Sequence, residues 1–200
     1  IPTDRREQTL HCTVAYTKSG GFCVPMSASQ RPAVQRILEG NTYEPETIEF
    51  LSTQSVDKDI IHAGTFFGDF LPLLSQSRPD RIVWAFEPNS DNFRCAQMTC
   101  IINGLTNVEI RNLGLGEQRS QVKMKNKDSE GNSLGGASAI ISSHSEWTPE
   151  HTASVSIDAL DNVVPGDRDI GIIQLDVEGY EKNALEGAMT IIKSQQPIII

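Results

Sequence analysis

Two carboxylates follow a mostly apolar segment near the C-terminal end of the chain. Residues 170–175 have the composition of a buried strand, and Asp176 and Glu178 come directly after it, with Gly179 before a predicted helix. In open α/β sheets, ligands bind in the crevice outside the carboxyl ends of the strands. We therefore expect both carboxylates to lie in a functional cleft. Carboxylate oxygens also suit Mg²⁺ or Ca²⁺, but the sequence offers no clear third ligand, and no metal site is predicted.

Two glycines and one acid mark the ends of two further predicted strands. Residues 59–63 run into Gly64-x-x-x-Gly68. Such a turn lets the backbone approach a ligand closely and leaves free N–H groups at a helix start. Glu87 follows the next strand, which is predicted over 82–86, and lies 23 positions after Gly64. This is close to the spacing of about 20 at which a carboxylate accepts hydrogen bonds from a ribose diol. Together these features predict a nucleoside-containing cofactor.

The glycine spacing separates two kinds of cofactor. A nicotinamide dinucleotide needs the pattern G-x-G-x-x-G around its pyrophosphate, whereas the turn after residue 63 has its glycines four positions apart. A nucleoside without a pyrophosphate is therefore favoured, and an NAD-dependent sugar enzyme is disfavoured. S-adenosylmethionine fits, because its sulfonium cation suits the nearby carboxylates of Asp69, Glu87 and Asp176.

These residues need a sheet whose strand ends meet at one edge. The apolar runs and amphipathic stretches predict the order β-α-β-α-β, an insert, and then β-α-β, which is an α/β fold with a doubly wound, mostly parallel sheet. One helix is predicted after Gly179, with its apolar stripe over 184–192. The chain stops inside a predicted strand at 197–200, so further C-terminal strands are expected beyond it.

The chain divides into an extension and one main domain. Residues 1–42 lack a firm period and are predicted to be an N-terminal extension with a short hairpin, and residues 43–200 form the main domain. Within it, residues 118–152 are polar and glycine-rich. Loops of that length are usually functional or disordered, so we interpret this insert as a lid or a substrate edge that is mobile without ligand.

Composition limits the classes of partner. The chain has 200 residues, 38% hydrophobic content and a formal net charge of -9, which fits one domain with a single core and disfavours nucleic acid, since binding a phosphate backbone needs clustered Lys and Arg. No apolar run approaches the roughly 20 residues that span a bilayer, and the first eight residues are too polar for a signal peptide. We expect a cytoplasmic protein with no membrane span.

Five motifs in the order of the chain resemble the FkbM-type S-adenosylmethionine-dependent methyltransferases, over residues 43–200. They are Tyr-Glu-Pro-Glu-Thr at 43–47, the Gly64 to Gly68 turn, Phe-Glu-Pro-Asn at 86–89, Val-Ser-Ile-Asp-Ala-Leu-Asp at 155–161, and Leu-Asp-Val-Glu-Gly-Tyr-Glu at 175–181 followed by Leu-Glu-Gly-Ala at 185–188. The most specific element is Asp-x-Glu-Gly-x-Glu at 176–181. The family's first motif resembles Asp-Val-Gly-Ala-Asn-x-Gly, and here His62 replaces its acid and Phe66 replaces its Asn.

The resemblance implies a Rossmann-like class I methyltransferase sheet of seven strands. It also implies S-adenosylmethionine as cofactor and O-methylation of a hydroxyl on a sugar or natural product, a small-molecule or saccharide acceptor. The residues predicted to contact the cofactor are His62, Gly64, Thr65, Gly68, Asp69, Glu87 and Asn89. For His62, a role as a core histidine remains equally open.

Methyl transfer to a hydroxyl needs in-line positioning and a base to take the proton. Asp176 and Glu178 are the predicted catalytic residues, with Asp176 on the acceptor side, and His144 and His151 of the insert are next in line. The alternative from another class is a non-catalytic carbohydrate- or effector-binding domain that keeps the methyltransferase fold, which the altered first motif favours.

Overall fold

The N-terminal part of the chain forms a hairpin and a short helix that pack onto the main domain. The computed structural model describes residues 9–141 and 149–200. Strands β1 (Cys12–Thr17) and β2 (Gly20–Pro25) pair antiparallel, and a 3₁₀ turn at Met26–Ala28 leads to α1 (Pro32–Leu38). Phe22, Val24 and Ile37 are buried in one cluster with Phe66 and Phe67. The extension therefore shares a core with the cofactor turn predicted at 64–68.

The main domain alternates strands and helices before and after a second, antiparallel sheet. In chain order its elements are α2 (Pro45–Thr53), β3 (Asp59–Ala63), α3 (Leu71–Ser77), β4 (Val83–Phe86), α4 (Ser90–Ile102), β5 (Val108–Arg111), β6 (Gly114–Leu115), β7 (Ser120–Lys125), β8 (Ala139–Ile140), β9 (Thr152–Asp158), α5 (Leu160–Val163), β10 (Ile170–Leu175), α6 (Glu181–Glu186), α7 (Met189–Gln195) and β11 (Ile198–Ile199).

The central sheet has five strands in the order β11-β10-β3-β4-β5, and every neighbouring pair is parallel. The chain winds outward from β3 through β4 to β5 and then returns to place β10 on the other side of β3. His62 pairs in register with Gln174, and Ala63 pairs with both Leu175 and Phe86. The strand order thus reverses between β3 and β10, which is where a doubly wound sheet opens a crevice.

Helices cover both faces of this sheet, as the apolar strands require. Alternate residues of β3 point to opposite sides: Ile60 packs with α2, α3 and α4, whereas Ile61 packs with α5, α6 and α7. The predicted mixed α/β architecture with a parallel sheet is confirmed. β11 is the last described strand, and the expectation that more strands follow stays a prediction.

The insert is more ordered than its polar composition indicates. β7 lies within it and pairs antiparallel with β9 over six residue pairs and with β8 over two, while β6 adds to β9 in parallel. Alternation along β7 buries Met124 and leaves its neighbours exposed or half-buried. The irregular part of the described insert is therefore the excursion between β7 and β8.

The helix predicted after Gly179 is two helices. The chain breaks between α6 and α7 at Gly187, where a side chain would overlap the carbonyl oxygen of Gly116. The Asp161 carboxylate accepts hydrogen bonds from Thr190 N at 2.8 Å and Ile191 N at 3.1 Å, which satisfies two free N–H groups at the start of α7. The break is thus produced by contacts with residues that are remote in sequence.

None of the helices formed by residues 9–141 and 149–200 has the length and apolar character needed to cross a bilayer.

Candidate functional site

The ends of β3 and β10 meet backbone to backbone. Asp176 N donates to Ala63 O at 3.0 Å, and Gly64, with φ +85°, lies so close that a Cβ atom there would overlap the carbonyl oxygen of Asp176. The glycine is therefore required by the neighbouring strand end itself. The sequence predicts this glycine for close approach to a cofactor, whereas in the structure a bulky residue here would collide with the backbone of Asp176 before it met any ligand.

Glu87 ends β4 with its carboxylate buried, at 5% exposure. One oxygen accepts from Phe66 N at 2.8 Å and the other from Asn89 N at 2.8 Å, which links the turn after β3 to the start of α4. Burial raises the pKa of this carboxyl to about 7, against the lowering effect of those N–H groups. The predicted ribose-binding acid thus also holds two site loops together.

Two adjoining cavities lie at the strand ends. The larger has a volume of about 100 Å³ and the smaller about 30 Å³, and Gly64, Gly136 and Asp176 line both. The smaller cavity has Glu87 on one side and apolar walls of Leu115, Met124 and Ile140. The two cavities form one elongated cleft across the switch point of the sheet.

The larger cavity is acidic. Its described lining includes the carboxylates of Glu44, Asp69, Asp176 and Glu178 and the guanidinium of Arg31. Burial, with smaller contributions from Glu44 and Asp176, raises the pKa of Asp69 to about 7. Crowded carboxylates repel one another and favour cations, so this cavity suits a positively charged group.

Both predicted catalytic carboxylates lie in this cavity. Burial raises the pKa of Asp176, and the charges of Glu44 and Glu181 raise it further. Burial also raises the pKa of Glu178, as does Asp176, while Arg31 opposes the shift. A carboxylate with a raised pKa is a stronger base. Glu178 has φ +53°, and a non-glycine residue held in that region is typical of functional sites.

His62 forms part of the cavity wall together with Gln174. Its Nδ1 is hydrogen-bonded to Gln174 Oε1 across the β3–β10 pair, and its ring stacks on Phe70 with centroids 5.3 Å apart. The side chain is 3% exposed, and its Nε2 has no hydrogen-bond partner among the described residues. Burial lowers the pKa of His62 to about 4, so the imidazole is neutral at physiological pH.

A turn of the insert covers the cleft. Gly135 O accepts from Asn92 Nδ2 at 3.3 Å, and Ser133 O accepts from Gln30 Nε2 at 2.9 Å. Cβ atoms built at Gly135 and Gly136 would contact the ring of Phe66, which has φ +52°. The Phe that replaces the Asn of the first motif thus supports this covering turn.

Three of the predicted cofactor contacts have structural partners and line neither cavity. Thr65 is fully buried, and its hydroxyl donates to His62 O at 3.0 Å. Gly68 packs against Leu71 and Ala96. Asn89 caps α4 by accepting from the N–H groups of residues 91 and 92. Their predicted contacts with a cofactor stay predictions without support from this geometry, whereas His62, Gly64, Asp69 and Glu87 are brought together.

Of the two histidines of the insert, His151 does not line the cleft. His151 ends a 3₁₀ turn, and its carbonyl accepts from Asn126 N at 3.0 Å, whereas His144 lies outside the described residues.

Over residues 9–141 and 149–200, no group of three His, Cys, Asp or Glu side chains is arranged to hold a metal ion.

Several lining residues were missed from the sequence. Tyr43 and Glu44 belong to the quoted Tyr-Glu-Pro-Glu-Thr motif, which was the available signal for them. Gln174 is the register partner of His62, so strand pairing could have identified it. Arg31 and Gly136 come from the extension and the insert, and no sequence pattern connected them with the strand ends.

The reversal of strand order places the chain among the doubly wound α/β proteins, which bind ligands in the crevice at such a reversal. A family model described as the methyltransferase FkbM domain matches residues 62–200, more than half of the chain. The chain belongs to the FkbM methyltransferase domain family. No curated protein matches it.

Two solved structures are similar to the chain. The crystal structure of methyltransferase FkbM from Methylobacillus flagellatus KT is 18% identical, with a TM-score of 0.48, over 78% of this chain and 39% of that one. A SAM dependent methyltransferase from Aquifex aeolicus is 20% identical, with a TM-score of 0.34, over 49% of each chain. The chain spans less than half the length of these two proteins.

Proposed function

We propose that the chain binds S-adenosylmethionine in the cleft at the β3–β10 switch point and transfers its methyl group to a hydroxyl of a sugar or natural product. The observation that carries the proposal is the acidic cavity joined to a pocket with a buried strand-end carboxylate, Glu87, in a chain of the FkbM methyltransferase domain family. The acidic side suits the cationic part of this cofactor, and the apolar side suits its base.

The side chains present fit the parts of the cofactor. A carboxylate has about four lone-pair sites. Glu87 uses three of them to accept from Phe66 N, Asn89 N and Asn92 Nδ2, so it keeps capacity for one ribose hydroxyl. Leu115 and Met124 offer an apolar wall for adenine. In the larger cavity, Asp69 and Glu44 favour the ammonium charge, and Asp176 adds to the negative potential around the sulfonium.

Binding requires the covering turn to move. Small-molecule sites usually offer roughly 300–1,000 Å³, whereas the two cavities measure about 100 and 30 Å³. The turn at Gly135–Ala137 is held by the bonds from Asn92 and Gln30 and by contact with Phe66. Few bonds hold it, so its displacement is the least costly way to open the cleft. This agrees with the interpretation of the insert as a lid.

The proposed chemistry needs a base on the acceptor side. S-adenosylmethionine supplies an electrophilic methyl group when bound. Asp176 lines both cavities, and burial together with Glu44 and Glu181 raises the pKa of its carboxyl, so Asp176 accepts the proton of the acceptor hydroxyl. Glu178 keeps the acceptor in place from the start of the following turn. General-base catalysis of this kind contributes about a hundredfold to ten-thousandfold.

The identity of the methyl acceptor is tested with S-adenosylmethionine that carries a labelled methyl group. The chain is incubated with it and with mono- and disaccharides that have vicinal hydroxyls, and products are identified by mass spectrometry and NMR. We expect the label in a new methyl ether. Label on nitrogen or sulfur of an acceptor would contradict O-methylation.

One observation favours a second candidate, a non-catalytic carbohydrate- or effector-binding domain. Phe66 stands where the family's motif has Asn, and its ring and the insert turn leave little open volume in the cleft. A domain that had lost its cofactor would show such filling. Calorimetric titration of the wild-type chain with S-adenosylhomocysteine separates the two candidates: a methyltransferase should bind it, whereas a non-catalytic binding domain should not.

A further inference from the structure

One buried nitrogen in the cleft has no described partner. His62 Nε2 belongs to a side chain that is 3% exposed and lines the larger cavity, and no hydrogen bond to it is formed by the described residues. An unsatisfied buried polar atom costs free energy comparable to a lost hydrogen bond. Because the side chain of His62 forms part of the wall of the cavity, a ligand that enters when the covering turn moves can supply the missing partner.

The pairing with Gln174 determines what Nε2 can do. Gln174 Oε1 is a pure acceptor, so His62 Nδ1 carries the proton and donates to it. In a neutral imidazole the other nitrogen is then a bare acceptor. The Phe70 ring stacked on the imidazole keeps its plane fixed. Nε2 therefore presents one lone pair in a fixed direction, and its partner must be an N–H or O–H donor.

The charges around the cavity select the kind of donor. Asp69 and Glu44 line the same space as His62, and each favours a positively charged group over a neutral or negative one. An ammonium group meets both requirements, because it carries the charge and has three N–H donors. A hydroxyl would satisfy Nε2 and leave the carboxylates uncompensated.

We propose that His62 Nε2 accepts a hydrogen bond from the α-ammonium group of the methionyl part of the cofactor, so that the His62–Gln174 pair recognises this group. The inference rests on the proposed function and deepens it. It gives a role to the histidine that stands in place of the family's acid: it removes one negative charge from an already acidic cavity and keeps an acceptor there.

Calorimetry with two ligands tests the contact without any acceptor or turnover. The ligands are S-adenosylhomocysteine and its deamino analogue, in which hydrogen replaces the α-amino group. The variant combines His62→Phe with Gln174→Met, which removes the acceptor, fills similar volume and leaves no orphaned polar group. The control is Pro32→Ala, which changes an apolar part of the wall of the same cavity and leaves the His62–Gln174 pair intact.

The wild-type protein should prefer S-adenosylhomocysteine to the deamino analogue, and the double variant should lose about tenfold or more of that preference. Pro32→Ala should change the affinity for both ligands by similar factors and keep the preference. An unchanged preference in the folded double variant would overturn the contact with His62. Absence of binding of either ligand by the wild type would overturn the proposed cofactor, and this contact with it.

A measurement on the wild-type protein covers the case in which the double variant does not fold. Nitrogen-15 NMR of the histidine side chains should show His62 protonated at Nδ1 and bare at Nε2. Saturation with S-adenosylhomocysteine should shift the Nε2 resonance towards that of a hydrogen-bonded nitrogen, and the deamino analogue should not. An Nε2 resonance that stays in place with both ligands would overturn the proposal.

Discussion

At the scale of single residues, the site depends on carboxylates that are buried before any ligand arrives. Glu87 is the clearest case. Its carboxylate accepts from Asn89 N, two residues further along the chain, and from Phe66 N, which is remote in sequence. Its position at a strand end could be predicted from the sequence. Its bond to Phe66 N could not, because that bond depends on the left-handed conformation of Phe66.

We expect Glu87→Gln to weaken binding of S-adenosylhomocysteine about tenfold to a hundredfold. The amide group of the glutamine has an N–H donor that faces one of the backbone N–H groups bound by the carboxylate in the wild type. The variant also loses a charge-assisted hydrogen bond to the ribose, worth about 1.5–3 kcal/mol. Isothermal titration measures the affinity. The matched control is Asp91→Asn, which changes an exposed acid in the first turn of α4, the helix that follows Glu87. This variant should bind S-adenosylhomocysteine with normal affinity. Equal affinity of Glu87→Gln and wild type would refute the ribose assignment.

Asp176 is predicted to act in turnover rather than in cofactor binding. Asp176→Asn should leave the affinity for S-adenosylhomocysteine within a few-fold and lower kcat by about a hundredfold or more, because the amide cannot accept the hydroxyl proton. The release of S-adenosylhomocysteine with a methylated acceptor measures kcat. Glu178→Gln is the companion variant and should retain most of the activity. Near-normal turnover of Asp176→Asn would move the search for a base to His151 and His144.

At the scale of helices and strands, the local sequence pattern predicts an element where the residues that determine its ends are close to it in sequence. The strands β3, β4 and β10 were predicted within one residue at most ends, because each is an apolar run bounded by turn residues. The break between α6 and α7 was not predicted. The break involves contacts with Gly116 and Asp161. Both residues precede the break by more than 20 positions in sequence and meet it only in the folded chain.

The residues of the cleft divide in the same way, into those that the local sequence pattern predicts and those that it does not. Its floor consists of residues that directly follow predicted strands, such as Gly64, Glu87 and Asp176, and these could be predicted because parallel strand ends meet at one edge. Its roof consists of Arg31 and Gly136, which come from segments without periodicity. No local rule indicates where such segments dock, so the extension and the insert could not be assigned to the site from the sequence.

Asp161→Ala should lower the free energy of unfolding by about 1–2 kcal/mol. Its carboxylate accepts from two N–H groups at the start of α7, and removal of a capping side chain typically costs this much. Urea denaturation followed by circular dichroism measures the change, with Asp57→Ala, an exposed acid, as the control. A midpoint equal to that of the control variant would show that α7 does not depend on this cap.

At the scale of the whole molecule, the buried acids of the cleft make stability depend on pH. Asp69 titrates near pH 7 in the folded protein, because of burial and the charges of Glu44 and Asp176, and near its usual value of 3.8 when unfolded. Between these values the folded state binds more protons. The free energy of unfolding contributed by Asp69 is therefore greatest below about pH 4 and declines as the pH rises towards 7.

Asp69→Asn should consequently stabilise the protein at about pH 8 by up to a few kcal/mol relative to wild type, with no such gain at about pH 4. Chemical denaturation at the two pH values measures both differences. Asp80→Asn, an exposed acid, is the control and should show the same small effect at each pH. A gain from Asp69→Asn that is independent of pH would contradict the titration of Asp69 in the folded protein.

The central claim is that the cleft between Glu87 and Asp69 holds a nucleoside cofactor without a pyrophosphate. Calorimetric titration of the wild-type chain with S-adenosylhomocysteine, and with NAD⁺ in parallel, tests it most directly. The account predicts one site per chain for S-adenosylhomocysteine, with a dissociation constant in roughly the micromolar range, and no heat of binding with NAD⁺. A folded chain that binds NAD⁺, or that gives no heat with S-adenosylhomocysteine at millimolar concentration, would contradict it.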